Sequence, residues 1–244
     1  MIRNNASKDL LGGHMYDNIV KDILKYQQVF LGEKNMKEPI YLSTGNNFLN
    51  NELKGGYKKG FLTEIAGLSD TGKTLLALKA VKEVQKEEKL AVYIDADRKF
   101  KSEYIQDNNL NEDGIILMQP DSIEQLVILL SEIVKPNIDD IGLIVIDSLA
   151  NLSTKMERNS KLSSNTDIHR SKVIKALLTR IANMVRNTDT CAIILNQLRN
   201  KFKEDGTIEL VSSSERWVKM TCDTRIVLTL DDNDDLYVNV SFKQ

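Results

Sequence analysis

Short apolar runs bounded by polar residues alternate along the chain with stretches of helical periodicity. The runs cover residues 61–66, 90–95, 115–118, 143–147 and 191–195. Continuous apolar runs of this length are typical of strands that are buried on both faces. The sequence therefore predicts an α/β fold, with a mostly parallel sheet that carries helices on both faces.

Between these runs, apolar residues recur at the spacing of an amphipathic helix. One stripe comprises Ile123, Leu126, Val127, Leu130 and Ile133, and a second comprises Ile174, Leu177, Leu178, Ile181 and Val185. Asp121 and Glu124 predict a capping box where the first of these helices begins. Residues 225–230 and the strictly alternating residues 236–242 flank an acidic turn, and they predict an antiparallel hairpin at one sheet edge.

The N-terminal residues follow a different pattern. Residues 15–31 predict an amphipathic helix, and the polar residues 32–39 predict a linker. We expect residues 1–40 to form a helical arm and linker used in oligomerisation, and residues 41–244 to form the core. The length of 244 residues suits one α/β domain with a short extension.

The segment GLSDTGKT matches the phosphate-binding pattern GxxxxGK[ST], and it lies between a predicted strand and a helical run. Glycines let backbone N–H groups turn toward phosphate oxygens, and the helix N-terminus adds a favourable dipole. The predicted nucleotide-binding residues are Gly67, Leu68, Ser69, Asp70, Thr71, Gly72, Lys73 and Thr74. We expect Lys73 to reach the β- and γ-phosphates of ATP, and the Thr74 hydroxyl to ligate Mg²⁺.

Polar side chains follow three of the predicted strands. We expect Asp147 to complete the Mg²⁺ site, and the alternative is a helix N-cap. Asp97 is the candidate to polarise the attacking water, with a solvated strand end as its alternative and Asp95 as the next candidate. Asn196 and Gln197 supply neutral amides that can hydrogen-bond a γ-phosphate, unless they are simple loop residues.

Charge and composition narrow the classes of function. A net charge of −2 and a pI near 5.8 give no overall attraction to nucleic acid, so DNA binding would depend on local basic segments. The chain has two cysteines, without CxxC spacing, and two histidines, which argues against a His/Cys metal site. No apolar run approaches the roughly 20 residues of a membrane helix. We expect a soluble, cytoplasmic protein with no membrane partner.

Six motifs occur in an order that resembles the RecA/RadA recombinase superfamily, and especially its phage UvsX-like branch. They are LSTGNNFLNNELKGGYKKGFLTEIAG, GLSDTGKT, IDAD, QPDSIEQ, LIVIDSLANL and CAIILNQLR. The resemblance spans roughly residues 41–244, and the stretch DIHRSKVIKALLTRI is similar to the phage form. It implies a RecA-like P-loop ATPase core that uses ATP and Mg²⁺.

The resemblance also implies roles for particular residues. Lys73, Asp97 and Gln197 would be catalytic, and Tyr104 would stack on adenine unless it is a core tyrosine. Segments 153–166 and 198–215 match the DNA-binding loops of the family. Their basic residues, candidates for contacts with single-stranded DNA, are Lys155, Arg158, Lys161, Arg199, Lys201 and Lys203. Without the resemblance, such clusters are solvated faces.

The implied assembly is a homo-oligomer, either a filament or a ring. Phe30 would anchor one subunit on the next, and the alternative is packing on its own core. The implied function is an ATP-dependent single-stranded-DNA-binding recombinase, with slow ATP hydrolysis because Asp97 stands where the family has glutamate. The alternative is a mediator or accessory paralogue that binds nucleotide and a partner recombinase without strand exchange. Single-strand-binding and mediator proteins are further candidate partners, and a KaiC-like or helicase-like ATPase is a third interpretation.

Overall fold

The computed structural model of the protein describes residues 38–159, 164–202, 206–231 and 236–243. The residues from Ile40 onward form one compact unit. The predicted N-terminal arm and its anchor Phe30 lie outside the described residues, as do Lys161 and Lys203.

Strands and helices alternate along this unit. The strands are β1 (Tyr41–Leu42), β2 (Tyr57–Lys58), β3 (Leu62–Gly67), β4 (Leu90–Asp95), β5 (Ile115–Met118), β6 (Ile141–Asp147), β7 (Cys191–Phe202), β8 (Ile208–Ser212), β9 (Thr224–Leu230) and β10 (Leu236–Phe242). The helices are α1 (Asn47–Glu52), α2 (Lys73–Lys86), α3 (Ser102–Asp107), α4 (Ile123–Leu129), α5 (Lys155–Asn159), α6 (Ser164–Val185) and α7 (Glu215–Thr221).

In the described residues, eight strands form one sheet in the order β10–β9–β3–β7–β6–β4–β5, and β8 pairs with the distal part of β7. The pairs from β9 to β5 are parallel, and β10 runs antiparallel to β9 at the edge. The mostly parallel sheet and the edge hairpin predicted from the sequence are therefore confirmed. Strands β1 and β2 form a separate small ladder.

Alternation along the central strands divides the core between the two faces of the sheet. On β4, Val92 and Ile94 belong to a cluster with the apolar stripes of α4 and α6. The intervening Ala91 and Tyr93 belong to a second cluster, which contains the buried side of α2. Because successive strand residues point to opposite faces, one apolar run serves both layers.

The apolar stripe of α4 departs from the prediction at its end. Ile133 was expected to be buried, yet its side chain is 41% exposed, and Val134 is buried instead. A π-helical turn at Leu130–Val134 follows α4. The wider turn changes the angle between successive side chains, and this moves the apolar face by one residue.

The predicted capping box at Asp121 and Glu124 is wrong by one position. Ser122 is the N-cap of α4, and its hydroxyl accepts a hydrogen bond from the Gln125 N–H at 3.2 Å. The Gln125 side chain in turn accepts from the Asp121 N–H at 2.5 Å. The Asp121 carboxylate instead forms an ion pair with Arg98.

Two parts of the segment 198–215, which was predicted to be a DNA-binding loop, form strands: residues 198–202 and residues 208–212. Strand β7 continues to Phe202 and pairs with β8 in an antiparallel ladder that joins Leu198 to Ser212. Alternation from residue 198 to 202 is compatible with such a two-stranded ribbon. In the described part of the chain, no helix is long and apolar enough to cross a membrane.

Candidate nucleotide site at the carboxyl edge of the sheet

Parallel strands bring the predicted site residues to one edge of the sheet. The register pairs Gly67 with Gln197 across β3 and β7, and it pairs Asp95 with Asp147 across β4 and β6. Gly67, Asp95 and Asp147 are the last residues of their strands, and Gln197 is the last residue of β7 that pairs with β3. The topology β3–β7–β6–β4 therefore places the loop, the amide and the carboxylates side by side.

The loop between β3 and α2 depends on two glycines for different reasons. Gly72 has φ +84°, a left-handed conformation at the N-cap of α2 that favours glycine. At Gly67, a Cβ atom would lie 2.4 Å from the Thr71 hydroxyl oxygen and 3.0 Å from the Leu228 carbonyl oxygen. The Thr71 hydroxyl donates to the Leu68 carbonyl at 2.9 Å, which closes the loop on itself.

The Lys73 side chain bends back over this loop. Its ammonium donates to the carbonyl oxygen of Gly67 at 3.1 Å and to that of Leu68. Partial burial lowers the pKa of Lys73, and the nearby carboxylates of Asp147 and Asp70 oppose this effect. The ammonium thus lies inside the loop, at the N-terminus of α2, where phosphate oxygens are favoured.

Asp147 accepts two hydrogen bonds on the same oxygen. The Thr74 hydroxyl donates to Oδ2 at 3.1 Å, and the Tyr93 hydroxyl donates to it at 2.6 Å. Burial raises the pKa of the Asp147 carboxyl, these two hydrogen bonds oppose the rise, and the charges of Asp97 and Asp95 add to it. A bound cation would stabilise the ionised form of this buried carboxyl and so offset the effect of burial and of the neighbouring charges.

The other two carboxylates differ in what they can do. Asp95 is buried, and its oxygens accept from the Lys99 and Phe100 N–H groups at 3.0 and 2.9 Å and from the Gln119 amide at 2.9 Å. Asp95 is therefore occupied in holding the loop after β4. The Asp97 side chain is 20% exposed and lies 3.3 Å from the Lys99 ammonium.

The two amides at the end of the apolar part of β7 also differ. Gln197 reaches the loop, and its amide nitrogen lies 3.2 Å from the Ser69 hydroxyl. Asn196 is buried and donates to Glu64 Oε1 and to the Ser213 carbonyl, both at 2.8 Å. Gln197 is thus available to a ligand, whereas Asn196 is part of the scaffold.

Sequence reasoning missed the charged group behind Asn196. Glu64 lies on β3 with no exposed surface, and Arg225 Nε donates to its Oε2 at 2.6 Å. The register of β3 and β9 pairs these two residues. Glu64 lies within an apolar run, and only the alternation of β9 could have suggested a basic partner.

These side chains surround a cavity of about 270 Å³. Of the residues predicted from the sequence, it is lined by Ser69, Asp70, Lys73, Thr74, Asp97, Tyr104, Asp147 and Gln197. Tyr104 lies on α3, and its ring packs edge-on against Phe100 with 5.7 Å between centroids. Phe100 contacts Tyr93 in the same way at 4.9 Å. Lys99 and Asn151 also line the cavity and were not predicted.

The ligand chemistry of this cavity suits a hard cation bound with phosphate. Thr74 and Asp147 offer oxygen atoms, which Mg²⁺ prefers. Across the described ranges, no group of three or more His, Cys, Asp or Glu side chains is arranged to hold a metal ion. Mg²⁺ bound with a nucleotide usually takes one or two oxygens from the protein and the others from phosphate and water.

The basic residues predicted to contact DNA are not equivalent. Lys155 and Arg158 are exposed on α5, but the Arg158 guanidinium lies 3.2 Å from the Asp121 carboxylate. Arg199 and Lys201 are exposed on the β7–β8 ribbon. Lys201 pairs in register with Glu209, whereas Arg199 pairs with Val211.

Sequence reasoning also missed a basic groove on the outer face of α6. We define it by Lys135, Lys172, Lys175 and Arg180, which line a cavity of about 670 Å³ together with Ala176, Thr179, Asn183 and Met184. Trp217 of α7 adjoins it, with the Lys175 ammonium 4.7 Å from its ring centroid. The Trp217 indole N–H donates to the Ser171 hydroxyl at 2.6 Å, which joins α7 to α6.

The strand order and the glycine loop after β3 define a RecA-like P-loop core. A match to the RecA N-terminal domain family covers residues 14–221. Protein RecA of Corynebacterium diphtheriae is 30% identical over 226 residues, which are 91% of this chain and 60% of that protein. Protein RecA of Lactococcus lactis subsp. cremoris strain MG1363 is 35% identical over 184 residues, 75% of this chain and 47% of that protein.

The chain belongs to the RecA family. It spans less than two thirds of the length of these relatives. The RecA/RadA resemblance deduced from the six motifs is thereby confirmed.

Proposed function

We propose that this chain is the ATP-binding and single-stranded-DNA-binding core of a RecA-type recombinase. The observation that carries the proposal is the convergence of Lys73, Thr74, Asp97, Asp147 and Gln197 on one cavity, at the carboxyl edge of a RecA-like sheet.

Each residue has a distinct role in the proposed hydrolysis of ATP. Lys73 leaves the loop carbonyls to bind the β- and γ-phosphates, since phosphate oxygens carry more negative charge than carbonyls. Asp97 accepts a proton from the attacking water. Gln197, which already contacts the loop at Ser69, senses the γ-phosphate. Tyr104 borders the cavity where an adenine would lie.

Mg²⁺ would neutralise charge on the phosphates when it is bound. Thr74 and Asp147 would hold it, because they place two oxygen-bearing side chains within 3.1 Å of each other at the mouth of the loop. The three neighbouring carboxylates of Asp95, Asp97 and Asp147 make this end of the cavity the anionic one.

Strand β7 supports a link between nucleotide and DNA. Gln197 lies at the cavity, and two residues further along the same strand Arg199 is exposed on the ribbon. The basic groove of α6 supplies further positive charges beside Trp217. A basic groove with an adjacent aromatic ring is suited to binding the phosphate backbone and bases of a single strand. In this proposal the groove contributes to the DNA surface together with Lys155 and Arg199.

A first experiment tests hydrolysis. The Asp97→Asn variant lacks the proposed base, so its DNA-stimulated ATP turnover is expected to be about 10²-fold lower. The Asp97→Glu variant is expected to retain or raise the turnover. Asp107→Asn, which changes an exposed aspartate on α3, is the matched control and keeps the wild-type rate. Equal turnover in wild type and Asp97→Asn would move the role of base to another residue.

A second experiment tests DNA binding through its salt dependence. Each phosphate contact on a single strand contributes about 0.7 to the slope of log K against log salt. The Lys172→Ala/Lys175→Ala variant is therefore expected to lose about 1.4 units of slope, at any base sequence. Lys82→Ala/Lys86→Ala on α2, which covers the other face of the sheet, should leave the slope unchanged.

The mediator or accessory paralogue remains the second candidate, and one observation favours it. The Asp97 carboxylate lies 3.3 Å from the Lys99 ammonium, so a neighbouring side chain competes with a water molecule for this carboxylate. A mediator would bind nucleotide without DNA-stimulated turnover, so the ATP hydrolysis rate with and without single-stranded DNA separates the two candidates.

A further inference from the structure

Tyr93 occupies an unusual position for a core aromatic residue. Its side chain is 1% exposed and belongs to the apolar cluster that packs between the sheet and α2. The ring also contacts Phe100 edge-on at 4.9 Å. Its hydroxyl, however, borders the nucleotide cavity and donates to Asp147 Oδ2 at 2.6 Å.

The Tyr93 hydroxyl makes the shorter of the two hydrogen bonds that Asp147 Oδ2 accepts, at 2.6 Å against 3.1 Å from the Thr74 hydroxyl. Tyr93 and Asp147 lie on the adjacent strands β4 and β6, and the register places Tyr93 opposite Val145 and Asp95 opposite Asp147. The Tyr93 hydroxyl therefore contacts Asp147, which lies two residues further along β6 than Val145, the residue that pairs with Tyr93.

The orientation of the Asp147 carboxylate depends on hydrogen-bond donors. Asp95 and Asp97, which line the same cavity, are acceptors when ionised and cannot supply one. Thr74 is the other donor, at the longer distance of 3.1 Å. The Tyr93 ring is buried and packs against Phe100, which limits its freedom to turn away, and two donors on one oxygen restrict the rotation of the carboxylate.

We propose that Tyr93 is a positioning residue for the metal-binding carboxylate, and that its hydroxyl holds Asp147 in the orientation that binds Mg²⁺. The inference rests on the proposed function, because the cation is the one that accompanies ATP. In this proposal Tyr93 acts on the cation through Asp147 and is not itself a ligand of the cation.

The test compares Tyr93→Phe with wild type in the full chain. N-methylanthraniloyl-ADP is first bound in EDTA, and Mg²⁺ is then titrated while the fluorescence is followed. Loss of a hydrogen bond to a metal ligand typically weakens metal binding by 10- to 100-fold. We expect the Mg²⁺ midpoint to rise by about that factor, with nucleotide affinity in EDTA unchanged.

Tyr57→Phe is the matched control. Tyr57 is also 1% exposed, and its hydroxyl is buried with no hydrogen-bond partner in the part of the chain that the structure describes. The same chemical change there should leave the Mg²⁺ midpoint at its wild-type value. An equal rise in both variants would show a general effect of the core and overturn the proposal.

The remaining outcomes separate the two levels of inference. An unchanged Mg²⁺ midpoint in Tyr93→Phe overturns the role of Tyr93 and leaves nucleotide binding standing. Loss of nucleotide binding in EDTA by Tyr93→Phe would mean that the hydroxyl serves the fold, which also overturns the role. Wild-type protein that binds no nucleotide at all would remove the proposed function itself.

Discussion

The ion pair between the buried Glu64 and the partly exposed Arg225 allows a stability prediction whose magnitude follows from the structure. Glu64 has no exposed surface, and it accepts from Arg225 at 2.6 Å and from Asn196 at 2.8 Å. Arg225→Met keeps much of the aliphatic stem and removes the positive charge. The carboxylate then stays buried with only one neutral donor.

Removing one member of a buried ion pair costs about 3–5 kcal/mol of unfolding free energy, because the remaining charge is uncompensated. For a domain of this size, each kcal/mol lowers Tm by roughly 2–4 °C. Arg225→Met is therefore expected to melt roughly 6–20 °C below wild type. Replacing both members, as in Glu64→Leu/Arg225→Met, should restore most of the loss because no charge remains buried.

Urea denaturation followed by far-ultraviolet circular dichroism measures this difference, with an unchanged m-value as the sign of a pure stability effect. Lys86→Met is the control, since it breaks the exposed pair with Glu83 and should cost about 0.5 kcal/mol or less. A loss below about 1 kcal/mol in Arg225→Met, or a double variant less stable than the single one, would refute the reasoning.

Three further predictions concern the cavity, the segment before α6 and the α6 groove. Lys73→Ala should abolish ATP hydrolysis and keep the wild-type circular dichroism spectrum, because the ammonium contacts only loop carbonyls; unchanged turnover would contradict the phosphate-loop assignment. The pKa of Glu157 is lowered although burial acts to raise it, because hydrogen bonds from Thr154 and the charge of Arg170 prevail. The ionised Glu157 therefore stabilises the fold fully above its unfolded-state pKa, and this stabilisation is lost as the pH falls through its lower folded-state pKa. The Tm of Glu157→Gln should be below that of wild type at pH 7, and the two Tm values should converge in acid. With ATP bound, wild-type protein should bind single-stranded DNA more tightly than without it, and Lys175→Ala should weaken binding in both states by the same factor, which fluorescence anisotropy measures.

The phosphate loop could be predicted from the sequence because its chemistry is local. The pattern GLSDTGKT sets a strand end, a left-handed glycine and a helix start within eight consecutive residues. The buried strands were predictable for the same reason, since continuous apolar runs require cover on both faces. Asp147 and Gln197 were predicted as site residues because polar residues that follow such runs are candidates for a strand end. Asp147 does end β6, whereas β7 continues past Gln197 to Phe202.

Only the tertiary structure decided how these strand ends are used. Asp95 and Asp97 are two residues apart and both line the cavity. Asp95 accepts hydrogen bonds from residues 99, 100 and 119, whereas the partner of Asp97 is the exposed Lys99 ammonium. Asn196 and Gln197 are adjacent, yet one holds Glu64 and the other faces the loop. Contacts with residues that are distant in the sequence determine the role of each side chain, so a local sequence pattern cannot predict it.

The same reason explains Tyr93 and the basic groove of α6. In the sequence Tyr93 is one apolar residue of a buried strand, and its hydroxyl gains a role only because β6 lies beside β4 in the register that brings Asp147 within 2.6 Å. In the sequence, Lys172, Lys175 and Arg180 are ordinary polar positions of an amphipathic helix. In the fold, Lys135 lines the same groove and Trp217 lies beside Lys175. The sequence determined which elements form and where the phosphate loop lies, and strand order and helix packing determined which side chains meet there.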